Sequence, residues 1–289
     1  MWIILSDMPD ETQKFNTNIS PTWCPGCGNF GIFTALKQAL VKLDLAPHEL
    51  VVFADIGCSG NTADFLKCYM FHSLHGRAIP PAVGAKLANH GLPVLVIIGD
   101  GGAYGEGGNH FINLMRGNHD ITVLVHDNYI YGLTTGQFSP TTIKGTITKT
   151  TPEGAIEEAL NPLALALANH TTFAARGYSF DISGLTDLIV QAMRHKGFSL
   201  VDILQPCVTF NKTQTMKWYQ EHIFKLNKKF KTREEAFGEA LKTDNLGTGI
   251  FWQEEKLAYH EEDAVLKQGV LVNRRIEKVN IEELVEEFA

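Results

Sequence analysis

The feature that most constrains the fold is a series of short apolar runs, rich in Val and Ile, that alternate with longer helix-like segments. Apolar residues follow one another in these runs instead of alternating with polar ones, which is typical of strands covered on both faces. Four clear runs lie at residues 50–55, 93–98, 121–125 and 200–204, and a weaker one lies at residues 171–175. Strands that alternate with helices predict an α/β fold with a doubly wound, mostly parallel sheet.

The helix-like segments keep apolar residues at helical spacing, and they are predicted at residues 29–43, 62–71, 82–89, 108–116, 155–168 and 185–195. From about Asn211 the chain is rich in Lys and Glu, with helical stretches at residues 233–241 and 281–288 and no clear strand. We therefore expect a core domain over residues 1–210 and a helical C-terminal extension over residues 211–289. The extension packs on the core or on a partner, or remains a solvated tail.

Composition argues against several classes of function. The formal net charge is −7, so the overall charge does not favour binding to nucleic acid or to an anionic membrane. The longest strongly apolar run near the middle, residues 93–98, has the length of a strand and is too short to span a bilayer. The N-terminus lacks the basic region and the apolar stretch of a signal peptide, so we expect a cytoplasmic protein.

A glycine-rich turn at residues 99–110 follows the second apolar run. Its glycines allow a ligand to approach the backbone closely, and the N-terminal amides of the following helix favour an anion. Its spacing fits neither a dinucleotide-binding fingerprint nor a Walker A loop. Asp100 in this turn and Asn128 after the next run are 28 positions apart. Because adjacent parallel strands end about 5 Å apart, the two side chains can share a hard cation with diphosphate oxygens.

This pair resembles the Mg²⁺–thiamine diphosphate motif, in which a Gly-Asp-Gly turn is followed by an asparagine. The resemblance implies that Mg²⁺ binds the side chains of Asp100 and Asn128 and the main-chain oxygen of Ile130. It also implies a sheet of the thiamine diphosphate-binding type, with its ligand at the carboxyl ends of the strands.

The five cysteines are Cys24, Cys27, Cys58, Cys68 and Cys207. In a reducing compartment, metal binding or burial explains them better than disulfides do. A Cys-x-x-Cys pair precedes a predicted helix, and Cys58 and Cys207 each follow a predicted strand, while Cys68 lies within the helix predicted at 62–71. Four thiolates at the ligand-binding edge could hold Zn²⁺ or a [4Fe–4S] cluster. A thioredoxin-like pair would leave Cys58 and Cys207 unexplained.

Together these features resemble the β subunit of the 2-oxoacid:ferredoxin oxidoreductases. The resemblance covers roughly residues 18–211 and is carried by several short motifs. They are Cys-Pro-Gly-Cys-Gly at 24–28, Ile-Gly-Cys-Ser at 56–59, Leu-His-Gly-Arg at 74–77, Lys-Leu-Ala-Asn at 86–89, Gly-Gly-Asn-His at 107–110, Tyr-Gly-Leu-Thr-Thr-Gly-Gln at 131–137 and Ser-Pro-Thr at 139–141.

The resemblance implies which residues bind the cofactors. Four cysteines of that family bind a [4Fe–4S] cluster near the thiamine, and their counterparts here are Cys24, Cys27, Cys58 and Cys207. Further cofactor contacts are implied for Ile56, Gly57, Cys58, Ser59, His75, Gly101, Gly102, Gly132 and Leu133.

The implied activity is the coenzyme A-dependent oxidative decarboxylation of a 2-oxoacid, with electrons passing through the cluster to ferredoxin. Residues 132–137 look more like the 2-oxoglutarate and broad-range branch than the pyruvate branch. The family takes the glutamate that activates the thiamine from the partner α subunit. No catalytic residue is therefore assigned in this chain, and we expect it to be inert alone. Gly102, the Tyr-Gly-Glu segment at 104–106 and Asn61 depart from the family pattern, which leaves Mg²⁺ binding intact and the substrate's identity open.

Two other functions fit the same residues. The chain could be a subunit of a non-oxidative thiamine diphosphate decarboxylase with structural zinc, or a zinc-stabilised scaffold that binds nucleotide or thiamine without turnover. His72 and His75 could join Cys58 as metal ligands, although a helix-capping or diphosphate-facing histidine fits better. Iron content separates the oxidoreductase from the zinc proteins.

Overall fold

A computed structural model describes residues 10–242, 246–274 and 281–288 of the chain. Its strands, numbered in chain order, are β1 (Val51–Ala54), β2 (Tyr69–His72), β3 (Val94–Gly99), β4 (Thr122–Asp127), β5 (Ile130–Tyr131), β6 (Gln137–Phe138), β7 (Phe173–Tyr178), β8 (Ser199–Leu204), β9 (Ile223–Lys225) and β10 (Leu246–Gln253). Eight strands form one sheet in the order β2-β1-β3-β4-β8-β7-β10-β9, and β5 and β6 form a separate antiparallel ribbon.

The large sheet is parallel except where β10 pairs with β7. The predicted α/β fold with a mostly parallel sheet is therefore confirmed. The helices are α1 (Asn29–Lys42), α2 (Thr62–Phe65), α3 (Ile79–Ala88), α4 (Gly108–Gly117), α5 (Pro162–Ala168), α6 (Ile182–Arg194), α7 (Met216–His222), α8 (Arg233–Ala240), α9 (Tyr259–Glu262) and α10 (Ile281–Glu286).

Two hydrophobic cores explain why the central strands are apolar at consecutive positions. Val96 and Ile98 of β3 pack into a core with α3, α4, α5 and α8 on one face of the sheet. Leu95 and Ile97 of the same strand pack into a second core with α1 and α6 on the other face. Each face of a central strand thus removes apolar surface from water, at roughly 25 cal/mol per Å². The result is a three-layer arrangement of helices, sheet and helices.

Three predicted helices begin at residues other than the predicted ones, and one of them, predicted from residue 185, begins at Ile182. The helix predicted from residue 155 begins only at Pro162, because the Asn161 side chain accepts a hydrogen bond from the Ala164 amide at 3.0 Å and caps the first turn. The helix predicted from residue 82 begins earlier, at Ile79, since prolines are tolerated in the first turn of a helix.

The prediction of one helix over residues 62–71 is wrong. Helix α2 ends at Phe65, β2 begins at Tyr69, and Cys68 lies between them. Strand β2 pairs only with β1 at the edge of the sheet, and Tyr69 and Phe71 remain exposed. A half-exposed edge strand lacks the continuous apolar run by which the buried strands were recognised.

The prediction that no strand follows residue 211 is also wrong. Strands β9 and β10 extend the large sheet, and β10 is long but contains Gly247, Gly249 and a register shift between Ile250 and Trp252. Glycines and a bulge interrupt the apolar pattern that a buried strand otherwise shows. The proposed division of the chain at residue 210 stays a prediction. Within the described residues, no helix combines the length and the hydrophobicity needed to cross a bilayer.

Candidate cofactor site

The carboxyl ends of β1, β3, β4 and β8 meet at one edge of the sheet and border a cavity of about 280 Å³. Parallel sheets bind their ligands at this edge. The structure brings together here every residue predicted for thiamine contacts or for Mg²⁺. The lining consists of Ile56, Gly57, Cys58, Ser59, His75, Gly99, Asp100, Gly101, Gly102, His126, Asn128, Ile130, Tyr131, Gly132, Leu133, Thr134 and Gln205.

The two strands that carry the predicted metal ligands lie side by side. Gly99 of β3 is the register partner of His126 of β4, so Asp100 and Asn128 follow neighbouring strand ends. Between Asn128 and Ile130 the backbone turns through Tyr129, whose φ of 61° lies in the left-handed region. This conformation is costly for a bulky residue and is typical of functional turns. The Asn128 side-chain oxygen accepts a hydrogen bond from the Ile130 amide at 3.0 Å and closes the turn.

Asp100 is almost completely buried and is held by hydroxyl groups. Ser139 Oγ and Thr141 Oγ1 donate to Asp100 Oδ2 at 2.5 and 2.7 Å. Burial raises the pKa of the Asp100 carboxyl to about 6, and the two hydroxyls oppose that rise. Thr141 Oγ1 also lies 2.8 Å from Asp127 Oδ1. Burial, with the nearby Asp202 and Asp100, raises the pKa of Asp127 well above its usual range.

The glycine-rich turn forms a single π-helical turn, Gly101–Glu106, before α4 begins. Such turns are rare and are frequently found at functional sites. A Cβ atom added at Gly101 would lie 2.1 Å from Tyr131 Cε1, and one added at Gly102 would lie 2.1 Å from Asp55 Oδ2. Only glycine therefore fits at these two positions, because any larger residue would displace side chains of the cavity.

His75 lies at the cavity wall between two carboxylates. Its Nδ1 is 3.1 Å from Asp55 Oδ2, and its Nε2 is 3.2 Å from Glu106 Oε2. The hydrogen bond to Asp55 raises the pKa of His75 above its usual value, against the opposing effect of burial. The Tyr131 hydroxyl donates to the same Glu106 carboxylate at 3.0 Å. The unusual Glu106 of the sequence is thus part of a hydrogen-bonded group at the cavity.

His126 and Gln205 leave buried polar atoms without a protein partner in the cavity lining. His126 Nδ1 contacts the Asn29 side-chain oxygen at 2.8 Å, while His126 Nε2 and Gln205 Oε1 have no hydrogen-bond partner among the residues that the structure describes. Burial lowers the pKa of His126 to about 3, so the imidazole is neutral. With Nδ1 as the donor, Nε2 is an acceptor. Buried acceptors of this kind are costly unless a bound molecule donates to them.

A second cavity, of about 170 Å³, adjoins the first and contains the four predicted cluster ligands Cys24, Cys27, Cys58 and Cys207. The Trp23 ring nitrogen donates to the Cys58 carbonyl oxygen at 2.7 Å and connects the Cys-x-x-Cys loop to the loop after β1. A Cβ atom added at Gly132 would lie 3.5 Å from Cys58 Sγ and 3.6 Å from Cys207 Sγ. Three separate parts of the chain therefore bring their thiols to one place.

The thiols influence one another electrostatically. Burial raises the pKa of Cys27 to about 11, and Cys207 and Cys24 add to that rise. Burial raises the pKa of Cys58 to about 12, and the other three cysteines of the cavity add to it. For Cys68, burial alone raises the pKa to about 12. Cys68 therefore stands apart from the group of four, and a nearby cation is needed to hold that group as thiolates.

The four thiols line one cavity, but they are not arranged as the ligands of one metal ion. Among the described residues, no three His, Cys, Asp or Glu side chains are arranged so that one metal ion could bind them all. A multinuclear cluster spreads its ligands over several metal atoms, whereas one Zn²⁺ binds each sulfur at about 2.3 Å.

Comparison with known families matches two parts of the chain. Residues 55–203 match the family described as "Thiamine pyrophosphate enzyme, C-terminal TPP binding domain". Residues 207–268 match the family that describes the C-terminal part of the pyruvate ferredoxin oxidoreductase beta chain. The 2-oxoacid:ferredoxin oxidoreductase subunit beta of a Sulfolobus species is 43% identical over 256 residues, which cover 83% of this chain and 84% of that protein. The chain is a member of the 2-oxoacid:ferredoxin oxidoreductase β-subunit family.

Other members carry names that specify a substrate. The 2-oxoglutarate oxidoreductase subunit KorB of Mycobacterium tuberculosis is 42% identical over 206 residues, which are 71% of this chain and 55% of that one. The 2-oxoglutarate:ferredoxin oxidoreductase of Magnetococcus marinus, solved with 2-oxoglutarate, coenzyme A and succinyl-CoA bound, matches with a TM-score of 0.90 and 29% identity over 98% of this chain and 97% of that chain. The predicted family is confirmed, and these names support its 2-oxoglutarate branch.

Several residues of this β subunit's site were given no role by sequence reasoning. Asp55, His126 and Gln205 are polar residues at the ends of β1, β4 and β8. A polar residue at the end of an apolar run is a signal that could have identified them. Ser139 and Thr141 were recognised only as part of a motif, because their contact with Asp100 spans about 40 positions and leaves no local pattern.

Proposed function

We propose that this chain binds thiamine diphosphate through Mg²⁺, carries one [4Fe–4S] cluster, and serves a coenzyme A-dependent oxidative decarboxylation in which 2-oxoglutarate is the favoured substrate. The observation that carries the proposal is the shared wall of the two cavities. Both are lined by Cys58, Asn128, Gly132, Leu133 and Gln205. Oxidative decarboxylation with ferredoxin as the acceptor needs a one-electron carrier close to the thiamine, whereas non-oxidative decarboxylation needs no electron carrier.

The chemistry of the first cavity supports Mg²⁺ and a diphosphate. The side chains of Asp100 and Asn128 and the main-chain oxygen of Ile130 offer the hard oxygen ligands that Mg²⁺ prefers. Gly101 and Gly102 bring no side chain to the start of the turn. The acceptors of His126 and Gln205, which have no partner among the described residues, suit a ligand with hydrogen-bond donors. When bound, thiamine diphosphate supplies the chemistry of carbon–carbon bond cleavage. This chain's residues bind and orient it.

The second cavity supports a four-cysteine cluster. Cys24, Cys27, Cys58 and Cys207 would hold it, and the adjoining walls would keep it close to the thiamine. When bound, the cluster would accept electrons one at a time and deliver them to ferredoxin. Burial of the thiols favours their neutral form, so cluster insertion would release protons from them.

We also propose that the site is completed by an α subunit. None of the described residues that line the two cavities is Lys or Arg, so the anionic groups of a 2-oxoacid and of coenzyme A need cations from beyond these walls. An α subunit would supply such cations, together with the carboxylate that activates the thiamine. All five cysteines are free thiols, as in a reducing compartment, and we place the assembly in the cytoplasm.

Metal analysis of the anaerobically purified assembly tests the proposal. We expect about four irons and matching acid-labile sulfide per β chain, with an electron paramagnetic resonance signal after reduction by dithionite. Cys58→Ala should lose most of the iron, while the matched variant Cys68→Ala should retain it, because Cys68 lies outside the group of four. Zinc without iron in the wild-type assembly would refute the oxidative mechanism and leave a thiamine enzyme of another kind.

A further inference from the structure

Three hydroxyl side chains form a clamp between the two loops that carry the proposed Mg²⁺ ligands. The hydroxyl clamp consists of Ser139, Thr141 and Thr142, directly after β6. All three residues are at most 3% exposed. A buried hydroxyl is unfavourable unless it is hydrogen-bonded, so the partners of these groups show what the clamp holds.

The clamp contacts both loops. Ser139 Oγ and Thr141 Oγ1 both donate to one oxygen of Asp100, Oδ2, at 2.5 and 2.7 Å. Thr142 Oγ1 donates to the carbonyl oxygen of Tyr129 at 2.6 Å. Tyr129 is the left-handed residue between Asn128 and Ile130, so this bond fixes the turn that carries the other two ligands.

The clamp is itself rigidly built. The Ser139 amide donates to Thr142 Oγ1 at 2.7 Å, which closes the segment on itself. Strands β5 and β6 pair Ile130 with Phe138, so the clamp is also tied through the sheet ribbon to the loop after β4. A carboxylate held at one oxygen by two donors from such a segment has little freedom to rotate.

We propose that Ser139 and Thr141 are positioning residues that hold Oδ2 of Asp100 so that Oδ1 is directed at the cation, while Thr142 sets the turn between the other two ligands. The inference rests on the proposed Mg²⁺ site and extends it to side chains that do not line the cavity. The alternative role is purely structural, in which the hydroxyls only satisfy a buried carboxylate.

The test compares Thr141→Val, which removes the hydroxyl at nearly constant volume, with Thr141→Ser, which keeps it. Mn²⁺ serves as the probe, and its free concentration is followed by electron paramagnetic resonance during titration of the complete assembly with thiamine diphosphate present. Loss of such a ligand-orienting partner typically weakens metal affinity by about tenfold to a hundredfold. We expect that loss in Thr141→Val, near wild-type affinity in Thr141→Ser, and recovery of the turnover rate of Thr141→Val at saturating Mg²⁺.

A matched control separates positioning from general destabilisation. Thr186 is also fully buried, and its hydroxyl donates to the Ile182 carbonyl oxygen at 2.7 Å within α6. Thr186→Val should lower the unfolding temperature without changing Mn²⁺ affinity. Wild-type Mn²⁺ affinity in Thr141→Val, with the fold intact by circular dichroism, would overturn the inference. If Thr141→Val does not assemble, Ser139→Ala decides by the same criterion. A wild-type assembly that binds no Mn²⁺ would instead refute the proposed Mg²⁺ site itself.

Discussion

At the residue scale, the cavity depends on glycines that pack directly against polar side chains. Asp55 is fully buried and accepts hydrogen bonds from His75 and from the Arg77 amide, at 3.1 and 3.3 Å. Gly102 lies over the same carboxylate, which leaves no room for a side chain. Asp55, at the end of β1, thus contacts both the histidine of the Leu-His-Gly-Arg motif and the turn after β3.

Gly102→Ala tests this packing. A Cβ atom there overlaps Asp55 Oδ2, and overpacking of a rigid site costs about 1–3 kcal/mol. We therefore expect thiamine diphosphate affinity to fall by roughly tenfold to a hundredfold, measured by fluorescence quenching of the assembly. Gly84→Ala in α3 is the matched control, since nothing lies within 4 Å of its added Cβ atom. That change should leave affinity unaltered and raise helix stability by up to about 1 kcal/mol. Equal affinity of both variants would contradict the packing argument.

At the element scale, β10 joins the C-terminal part of the chain to the large sheet. It runs antiparallel to β7 and carries β9 on its other side. Phe251 of β10 is buried against Phe230 and lies 5.6 Å from the Arg176 guanidinium. Arg176 in turn approaches the buried Asp202 of β8 at 3.5 Å. The tail therefore covers a buried charge pair in the interior of the sheet.

Phe251→Ala should show that this tail strand is part of the core. Removing a buried phenylalanine typically lowers the free energy of unfolding by about 3–5 kcal/mol. Phe288, which is 91% exposed, provides the control. Phe288→Ala should change the free energy of unfolding by no more than about 0.5 kcal/mol. Urea unfolding of both variants, followed by circular dichroism, measures the difference. Similar stabilities of the two variants would mean that β10 adds little to the folded core.

At the scale of the whole molecule, the fold holds two adjoining cavities, and no Lys or Arg is found among the described residues that line them. The first lies at the carboxyl ends of the parallel strands, and the second lies where the loops carrying the four cysteines converge. A 2-oxoacid and coenzyme A are both anionic, so their binding requires the permanent positive charges of Lys or Arg, which these linings lack among the described residues.

The isolated chain should therefore be catalytically inert. We expect no reduction of a ferredoxin or a viologen dye when the chain alone receives 2-oxoglutarate and coenzyme A, even after cofactor loading. Co-expression with the α subunit should restore turnover, with a higher kcat/KM for 2-oxoglutarate than for pyruvate. Iron content of the isolated chain controls for cluster loss during purification. Turnover by the isolated, iron-loaded chain would show that the activating carboxylate lies within it.

The sequence by itself determined the layered fold and predicted which residues line the cavity at the edge of the sheet. The strands β3, β4 and β8 are buried on both faces, so each is an uninterrupted apolar run that can be recognised in the sequence alone. Asp100, Asn128 and the cysteines follow strand or helix boundaries, and parallel strands bring such boundaries to one edge. Side chains with that simple relation to the sheet could be placed from the chain alone.

Only the tertiary structure decided the rest, because those features depend on contacts between distant segments. Glycines and a register shift interrupt β10, and β2 is half exposed at the edge of the sheet. Neither strand therefore shows the uninterrupted apolar run of a buried strand. Thr141 and Asp100 are 41 positions apart, and Gly102 and the Asp55 carboxylate against which it packs are 47 positions apart. Such contacts follow from how the elements pack, and they cannot be predicted from local propensity or periodicity.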